Sequence, residues 1–191
     1  YFGLVELADR HLGRVLDALD ELDLWKDTMI IFTVDHGEML GDFGRYMKSV
    51  MWEPAVHMPL FVYHPDAEPG ERQTFAEHVD LFPTICEYLG LPIPPEVQGR
   101  SLLPLVVSDK TPGAWREYAF SQLDDDLLIR TVDWKLIYRN GRPAHLFDVR
   151  RDPEEYYDVI HRHPEVVRDL SALLNRDHPG LFDRNETIRQ S

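Results

Sequence analysis

The chain has 191 residues, of which 43% are hydrophobic and 28% charged, and its formal net charge at pH 7 is -14. This composition is that of an ordinary globular protein with a sizeable core, and the acidic balance argues against nucleic-acid binding, which needs clustered lysine and arginine. Cys86 is the only cysteine, so no intrachain disulfide or thiolate metal cluster can form, and no apolar run of about eighteen residues is present that would span a membrane.

Apolar residues at three-and-four spacing predict an amphipathic helix over about residues 4–23. The apolar run 29–34 predicts a buried strand, and 58–63 predicts a second. Between them, residues 37–58 have no sustained periodicity, and their aromatic and methionine content favours a long ordered loop. Loops of this length in compact domains are usually functional or disordered.

Residues 79–89 predict another helix, with Asp80 as its N-cap. The composition shifts over residues 109–113, and runs with strand character follow at 118–121, 127–132, 134–138 and 145–149. Asn140-Gly141 predicts a hairpin between the last two runs, and residues 165–174 predict a terminal helix. The order predicts an α/β fold with a βαβ-like first part, residues 1–108, and an antiparallel second part, residues 109–191.

Asp35 and His36 stand side by side where the first strand ends. Adjacent side chains of a strand point to opposite faces, so the two can share one ion only if the backbone turns, and Gly37 supplies the freedom for such a turn. Carboxylate oxygens suit Ca²⁺ or Mg²⁺, and an imidazole favours Mn²⁺ or Zn²⁺. Two ligands do not complete a metal site, and such a pair, taken alone, is more often a turn-former beside a surface histidine.

Other polar residues of the predicted loop have a functional and a simpler interpretation. Lys48 could act as a point charge for a sulfate or phosphate oxygen, although most lysines are solvated surface groups. For Glu53 the simpler interpretation is an ion pair or cap, and for His57 a histidine at a helix or strand edge. The acidic run 124–126 reads as a solvated turn.

Motifs along nearly the whole chain resemble those of one family. They comprise residues 15–19 and 31–42, the strand 59–62, the segments 78–90 and 98–105, and the segments 130–138 and 146–155. Through them the chain resembles the C-terminal part of a type I sulfatase, within the alkaline phosphatase superfamily. The fold that this implies is part of an alkaline-phosphatase-like mixed sheet core, followed by a small antiparallel β-sheet subdomain with a terminal helix.

The resemblance implies hydrolysis of a small-molecule sulfate ester. A divalent cation, usually Ca²⁺ and sometimes Mn²⁺, helps to activate a formylglycine nucleophile in this family, and covalent catalysis splits the displacement into two steps. By the match, Asp35 and His36 are metal ligands and Lys48 contacts the sulfate.

The family nucleophile lies in a Cys/Ser-x-Pro-x-Arg motif far upstream, and no such motif occurs in this sequence, where Cys86 is followed by Glu87 and Tyr88. We therefore expect the C-terminal portion of an enzyme, inactive without a missing N-terminal portion of the same protein that carries the nucleophile. A truncated core exposes a sheet edge and apolar surface, so we also expect self-association.

His36 and the absent nucleophile leave two alternatives open. Many sulfatases have asparagine at the position of His36, and the Asp-His form also occurs in choline-sulfatase-like and phosphonate-hydrolase-like members. Phosphonate monoester or phosphodiester hydrolysis on the same scaffold is therefore one alternative. The other is a non-catalytic binding or structural module. His57 also departs from the family pattern, because arginine is common there.

Overall fold

A computed structural model describes residues 1–108, 113 and 115–181 of the chain. In the first part lie α1 (Phe2–Glu21), β1 (Ile30–Thr33), α2 (Glu53–Val56), β2 (Leu60–Tyr63), α3 (Leu81–Tyr88) and α4 (Leu103–Val106). In the second part lie β3 (Tyr118–Leu123), β4 (Asp126–Thr131), β5 (Trp134–Arg139), β6 (Arg142–Asp148) and α5 (Pro164–Asp177). The predicted elements are therefore present, in an α/β arrangement with two antiparallel sheets.

The first sheet consists of β1 and β2, which pair antiparallel with Ile30 opposite Tyr63 and Thr33 opposite Leu60. The βαβ-like arrangement expected for this part is therefore wrong for these two strands, because a βαβ unit joins parallel strands through a crossover. The chain between β1 and β2 instead folds back on itself, since the amide of Gly37 donates to the carbonyl of Ala55 at 2.9 Å.

The second sheet has the strand order β3-β4-β5-β6, with every neighbouring pair antiparallel. The β5–β6 turn is the predicted hairpin, and Asn140 and Gly141 both adopt positive φ, as a tight hairpin turn requires. Helix α5 covers one face of this sheet. The core between them contains Leu127, Ile129, Leu136, Tyr138 and Leu146 from the strands and Leu170 and Leu174 from the helix.

Helix α1 forms where the apolar periodicity predicts it, but it has no buried residue. Leu4 is 71% exposed and Val15 58%. Leu12, Leu16 and Leu19 of its apolar stripe are half-buried. None of the described helices is long and apolar enough to cross a membrane.

A buried ion cluster joins the two parts of the chain. The guanidinium of Arg116, just before β3, pairs with the carboxylate of Glu77 and, at 2.6 Å, with that of Asp80. Asp80 is fully buried. It precedes α3 as predicted, but its carboxylate accepts hydrogen bonds from the amides of Glu77 and Arg100, both at 2.8 Å, instead of capping α3. The predicted division at residues 108 and 109 adjoins residues 109–112, which lie outside the described ones, and stays a prediction.

Candidate functional site

Asp35 and His36 follow β1 after one residue, Val34, and the backbone turn there brings their side chains to the same side. His36 Nε2 lies 3.4 Å from Asp35 Oδ2, and the amide of His36 donates to Asp35 Oδ1 at 3.1 Å. The carboxylate of Asp35 is 86% exposed and the imidazole of His36 36%. The two side chains therefore converge as they must to share one ion.

The imidazole of His36 is held in a defined tautomer. Its Nδ1 lies 2.8 Å from the carbonyl oxygen of Gly37, and because a carbonyl only accepts, Nδ1 carries the proton. In the neutral ring Nε2 then presents a lone pair toward the carboxylate of Asp35. Two such electron-rich atoms at 3.4 Å repel unless a proton or a cation lies between them. Histidine ligands of metals are usually oriented in this way, by an N–H bond to a carbonyl or carboxylate.

The pair fits part of a metal site. Carboxylate oxygen and imidazole nitrogen are suitable donors for a divalent cation. Within the part of the chain that the structure describes, no group of three or more His, Cys, Asp or Glu side chains could hold a metal ion. Asp35 and His36 therefore amount to two donors of an incomplete set.

Position 37 requires glycine because a side chain would not fit there. Its backbone is not in the left-handed region, so glycine is not required for its conformation. A Cβ added at Gly37 would lie 1.9 Å from the carbonyl oxygen of Pro54. The backbone of α2 thus packs directly against Gly37, and the hydrogen bond from Gly37 to Ala55 fixes the contact.

Residues 38–52 form an ordered loop, as predicted, whereas residues 53–56 of the predicted loop form helix α2. Glu38 Oε1 accepts the amide of Leu40 at 3.3 Å and also that of Met47, and the amide of Met39 donates to the carbonyl of Met47 at 2.9 Å. Met39 is fully buried. The loop also contains left-handed residues, which are Leu40, Gly41, Phe43, Gly44, Met47 and Ser49. Such conformations cluster at functional sites.

Lys48 lies between two of these left-handed residues, Met47 and Ser49, and is exposed. Its position on an ordered loop that begins immediately after His36 keeps it available as a surface cation. The role of Lys48 toward a sulfate stays a prediction, as do the metal-binding roles of Asp35 and His36.

The sequence did not reveal a buried ion triad beside this loop. The ammonium of Lys135, on β5, is fully buried and lies 3.0 Å from Glu53 Oε2 and 2.6 Å from Glu155 Oε1. Glu155 Oε2 also accepts the amide of Glu53 at 2.9 Å. The sequence shows a lysine, Lys135, within the apolar run 134–138. It does not indicate which carboxylates pair with this lysine.

His57 extends the triad to the surface. It follows α2 directly, at the helix edge as expected, and its Nδ1 lies 3.1 Å from Glu53 Oε1. Burial alone would raise the pKa of Glu53, but the hydrogen bond from His57 and the charge of Lys135 outweigh it and lower that pKa to about 2. The hydrogen bond with Glu53 in turn raises the pKa of His57, and burial raises the pKa of Glu155 despite Lys135.

A cavity of about 250 Å³ opens beside α2. Glu53, Pro54 and His57 line it, together with the rings of Phe43 and Tyr156, whose centroids are 5.7 Å apart. Pro54 also contacts Gly37, but neither Asp35 nor His36 lines the cavity. A larger surface depression of about 660 Å³ surrounds the β5–β6 turn, and no residue of the segment 37–58 lines it.

The chain is similar to known sulfatases in sequence. Residues 1–91 match the sulfatase family model. Arylsulfatase K of Gallus gallus is 32% identical over 189 residues, which cover 91% of this chain and 35% of that protein.

Solved structures show the same likeness in three dimensions. BT4656, in complex with its substrate D-glucosamine-2-N,6-O-disulfate, has a TM-score of 0.82 at 28% identity, over 95% of this chain and 40% of that one. The phosphonate monoester hydrolase of Silicibacter pomeroyi also has a TM-score of 0.82, at 31% identity, over 88% of this chain and 38% of that one. The chain thus spans well under half the length of each of these relatives.

Proposed function

Since this chain is a type I sulfatase-like chain with an alkaline-phosphatase-like fold, we propose that it forms part of a sulfuric ester hydrolase. It supplies Asp35 and His36 as metal ligands and Lys48 as a cation for the sulfate. The observation that carries the proposal is the approach of His36 Nε2 to Asp35 Oδ2, at 3.4 Å, with the other ring nitrogen already engaged by Gly37.

The residues have separate tasks in this proposal. Asp35 contributes negative charge and His36 a neutral lone pair, so together they bind a divalent cation, Ca²⁺ or Mn²⁺, without cancelling its charge. When bound, the cation neutralises charge on the sulfuryl oxygens. Lys48 adds a point charge of the same sign. Because the net charge of the chain is -14, an anionic ester needs such local cations to approach.

The nucleophile of the proposed reaction is not encoded in these 191 residues, which contain no Cys/Ser-x-Pro-x-Arg motif. By the family resemblance it is a formylglycine, formed in sequence that precedes this chain in the full-length protein. The match covers about a third of arylsulfatase K, so most of the length of that relative lies outside it.

The proposal is tested on the full-length protein with an aryl sulfate ester. Removing one donor that contacts the developing charge of a transition state typically costs about 10²–10³ in rate, so we expect a loss of this order for Lys48→Met. Asp35→Asn removes a charged metal ligand, so we expect it to lower turnover together with cation binding. The control is Lys26→Met, because Lys26 is an exposed lysine paired with Asp23 outside the loop. Unchanged turnover in both loop variants would contradict the assignment.

A phosphonate monoester hydrolase is the second candidate, and His36 together with the similarity to the Silicibacter enzyme favours it. Both reactions need the same metal ligands and the same cation for an anionic ester. Comparison of kcat/KM on paired aryl sulfate and aryl phosphonate esters separates them. A clear preference for the sulfate would remove this candidate.

A further inference from the structure

The buried triad of Lys135, Glu53 and Glu155 joins the second sheet to the loop of the candidate site. Lys135 lies on β5 and Glu155 follows β6, whereas Glu53 is the first residue of α2. Both Lys135 and Glu155 are essentially fully buried. Glu155 binds the side chain of Lys135 with one oxygen and the backbone amide of Glu53 with the other. The start of α2 is therefore held through both its side chain and its backbone.

Helix α2 depends on such external contacts. It has only four residues, and a helix of one turn is not stable in isolation because nucleation is unfavourable. Its other fixed point is the candidate site itself, since the carbonyl of Ala55 accepts the amide of Gly37 at 2.9 Å and the carbonyl of Pro54 packs against the Cα of Gly37.

The contacts continue from Gly37 to His36. The carbonyl of Gly37 accepts the Nδ1 proton of His36 at 2.8 Å, and this bond determines which ring nitrogen faces Asp35. An unbroken series of buried or part-buried contacts thus leads from Lys135 and Glu155 through α2 to the imidazole of His36.

We propose that Lys135 and Glu155 are positioning residues for His36: they anchor α2 from the second sheet, and α2 holds Gly37 in the place where its carbonyl orients the imidazole. The inference rests on the proposed role of His36 as a metal ligand. It assigns to the second sheet a part in building the metal site, although none of the predicted ligands lies there.

An ionic anchor suits this role better than an apolar one. A buried ion pair contributes little net stability compared with apolar packing, and its best-attested use is to select one arrangement over others. Here two carboxylates share one ammonium, and the imidazole of His57 on the outer side of Glu53 supplies a further partner. Sliding α2 along the sheet would separate buried opposite charges, so the register of α2 is defined.

The cluster of Arg116, Glu77 and Asp80 provides a matched control. It also joins the two parts of the chain, and the side chain of Arg116 is 9% exposed and that of Asp80 0%. Its partners precede α3, and none of the contacts described for it involves α2. Disrupting it removes a comparably buried ion pair while leaving the contacts between α2 and Gly37 intact.

The experiment compares Lys135→Met, Glu155→Gln and the control Arg116→Met in the full-length protein. One readout is the tautomer of His36, obtained from imidazole nitrogen shifts of the metal-free protein labelled at histidine. The other is the affinity for Ca²⁺ and Mn²⁺ by calorimetric titration. Thermal unfolding is recorded for each variant, and the two readouts are compared at temperatures where all variants are folded.

We expect Lys135→Met to weaken metal binding by about 10–100-fold, the usual effect of removing a residue that orients a ligand, and to populate both tautomers of His36. Glu155→Gln keeps an acceptor for the amide of Glu53 but loses the charge, so its effect on both readouts is in the same direction and smaller. Arg116→Met lowers the unfolding temperature and leaves both readouts unchanged.

The inference is overturned if Lys135→Met and Glu155→Gln lower only the unfolding temperature, as the control does. If Lys135→Met does not fold, Glu155→Gln decides. If the wild-type protein binds neither cation, the proposed function fails, and the tautomer of His36 still decides whether Lys135 and Glu155 position it.

Discussion

Glu53, the first residue of α2, connects a buried ion pair to the surface. Its carboxylate lies between the buried ammonium of Lys135 and the exposed imidazole of His57, and its amide donates to Glu155. The sequence predicted an ion pair or a cap for it, and an ion pair is what the structure shows. The partner was not predictable, because Lys135 follows 82 positions later in the chain.

The first prediction concerns the pH dependence that Glu53 creates. Its pKa of about 2 lies below the ordinary 4.5, so its ion pairs stabilise the fold above pH 4.5, and this contribution is lost as the pH falls toward 2. The raised pKa of His57 has the opposite sign: its contribution is present below pH 6.5 and is lost as the pH rises through the raised value.

Glu53→Gln removes the charge from both interactions. We expect the pKa of His57, followed by NMR, to fall, and the loss of stability between pH 4.5 and about 2, measured by urea unfolding, to become smaller. The comparison variant is Glu165→Gln, which alters the exposed pair of Glu165 with His163, 3.2 Å apart. A pKa of His57 that is the same in Glu53→Gln and in the wild type would rule out this account.

At the scale of elements, local sequence patterns predicted the helices and strands well. They predicted the pairing of strands that are distant in sequence less well. The helix expected over residues 4–23 is found at Phe2–Glu21, and the hairpin at Asn140-Gly141 forms as expected. Both depend on neighbours in sequence. The pairing of β1 with β2 depends on how the intervening segment returns, and Gly37 contacts α2 within that segment.

The second prediction tests this contact. In Gly37→Ala the new methyl group would meet the carbonyl of Pro54 at 1.9 Å, so we expect a loss of about 1–3 kcal/mol, as for overpacked sites, in the free energy of unfolding. The control is Gly13→Ala in α1, where nothing lies within 4 Å, and there alanine should stabilise the helix by about 0.5–1 kcal/mol. Urea unfolding measures both, and equal effects would contradict the close approach.

At the scale of the whole molecule, the described residues leave much apolar surface uncovered. Phe32 and Phe61 form a tilted ring pair, with centroids 6.0 Å apart, on the exposed face of the two-stranded sheet, and Phe61 is 66% exposed. Leu4 and Val15 of α1 are also exposed, at 71% and 58%. Exposed patches and open strand edges favour association with other surfaces.

The third prediction is that the 191-residue chain self-associates in solution. Sedimentation velocity should show a weight-average mass that rises with concentration, and Phe61→Ser should reduce the rise because it removes a ring from the exposed sheet face. Val132→Ser is the control, since Val132 is 63% exposed but lies in the turn between β4 and β5. A monomer at every concentration would refute the prediction.

The sequence by itself was sufficient to predict the element types, the resemblance to sulfatases and the candidate ligands Asp35 and His36, because these depend on local periodicity and on motifs that are contiguous in the chain. Only the tertiary structure showed that His36 Nδ1 is engaged by Gly37, that Gly37 is held by α2, and that α2 is anchored by Lys135 and Glu155. The physical reason is that a buried charge requires a partner of opposite charge, whereas the identity of that partner depends on how distant segments pack.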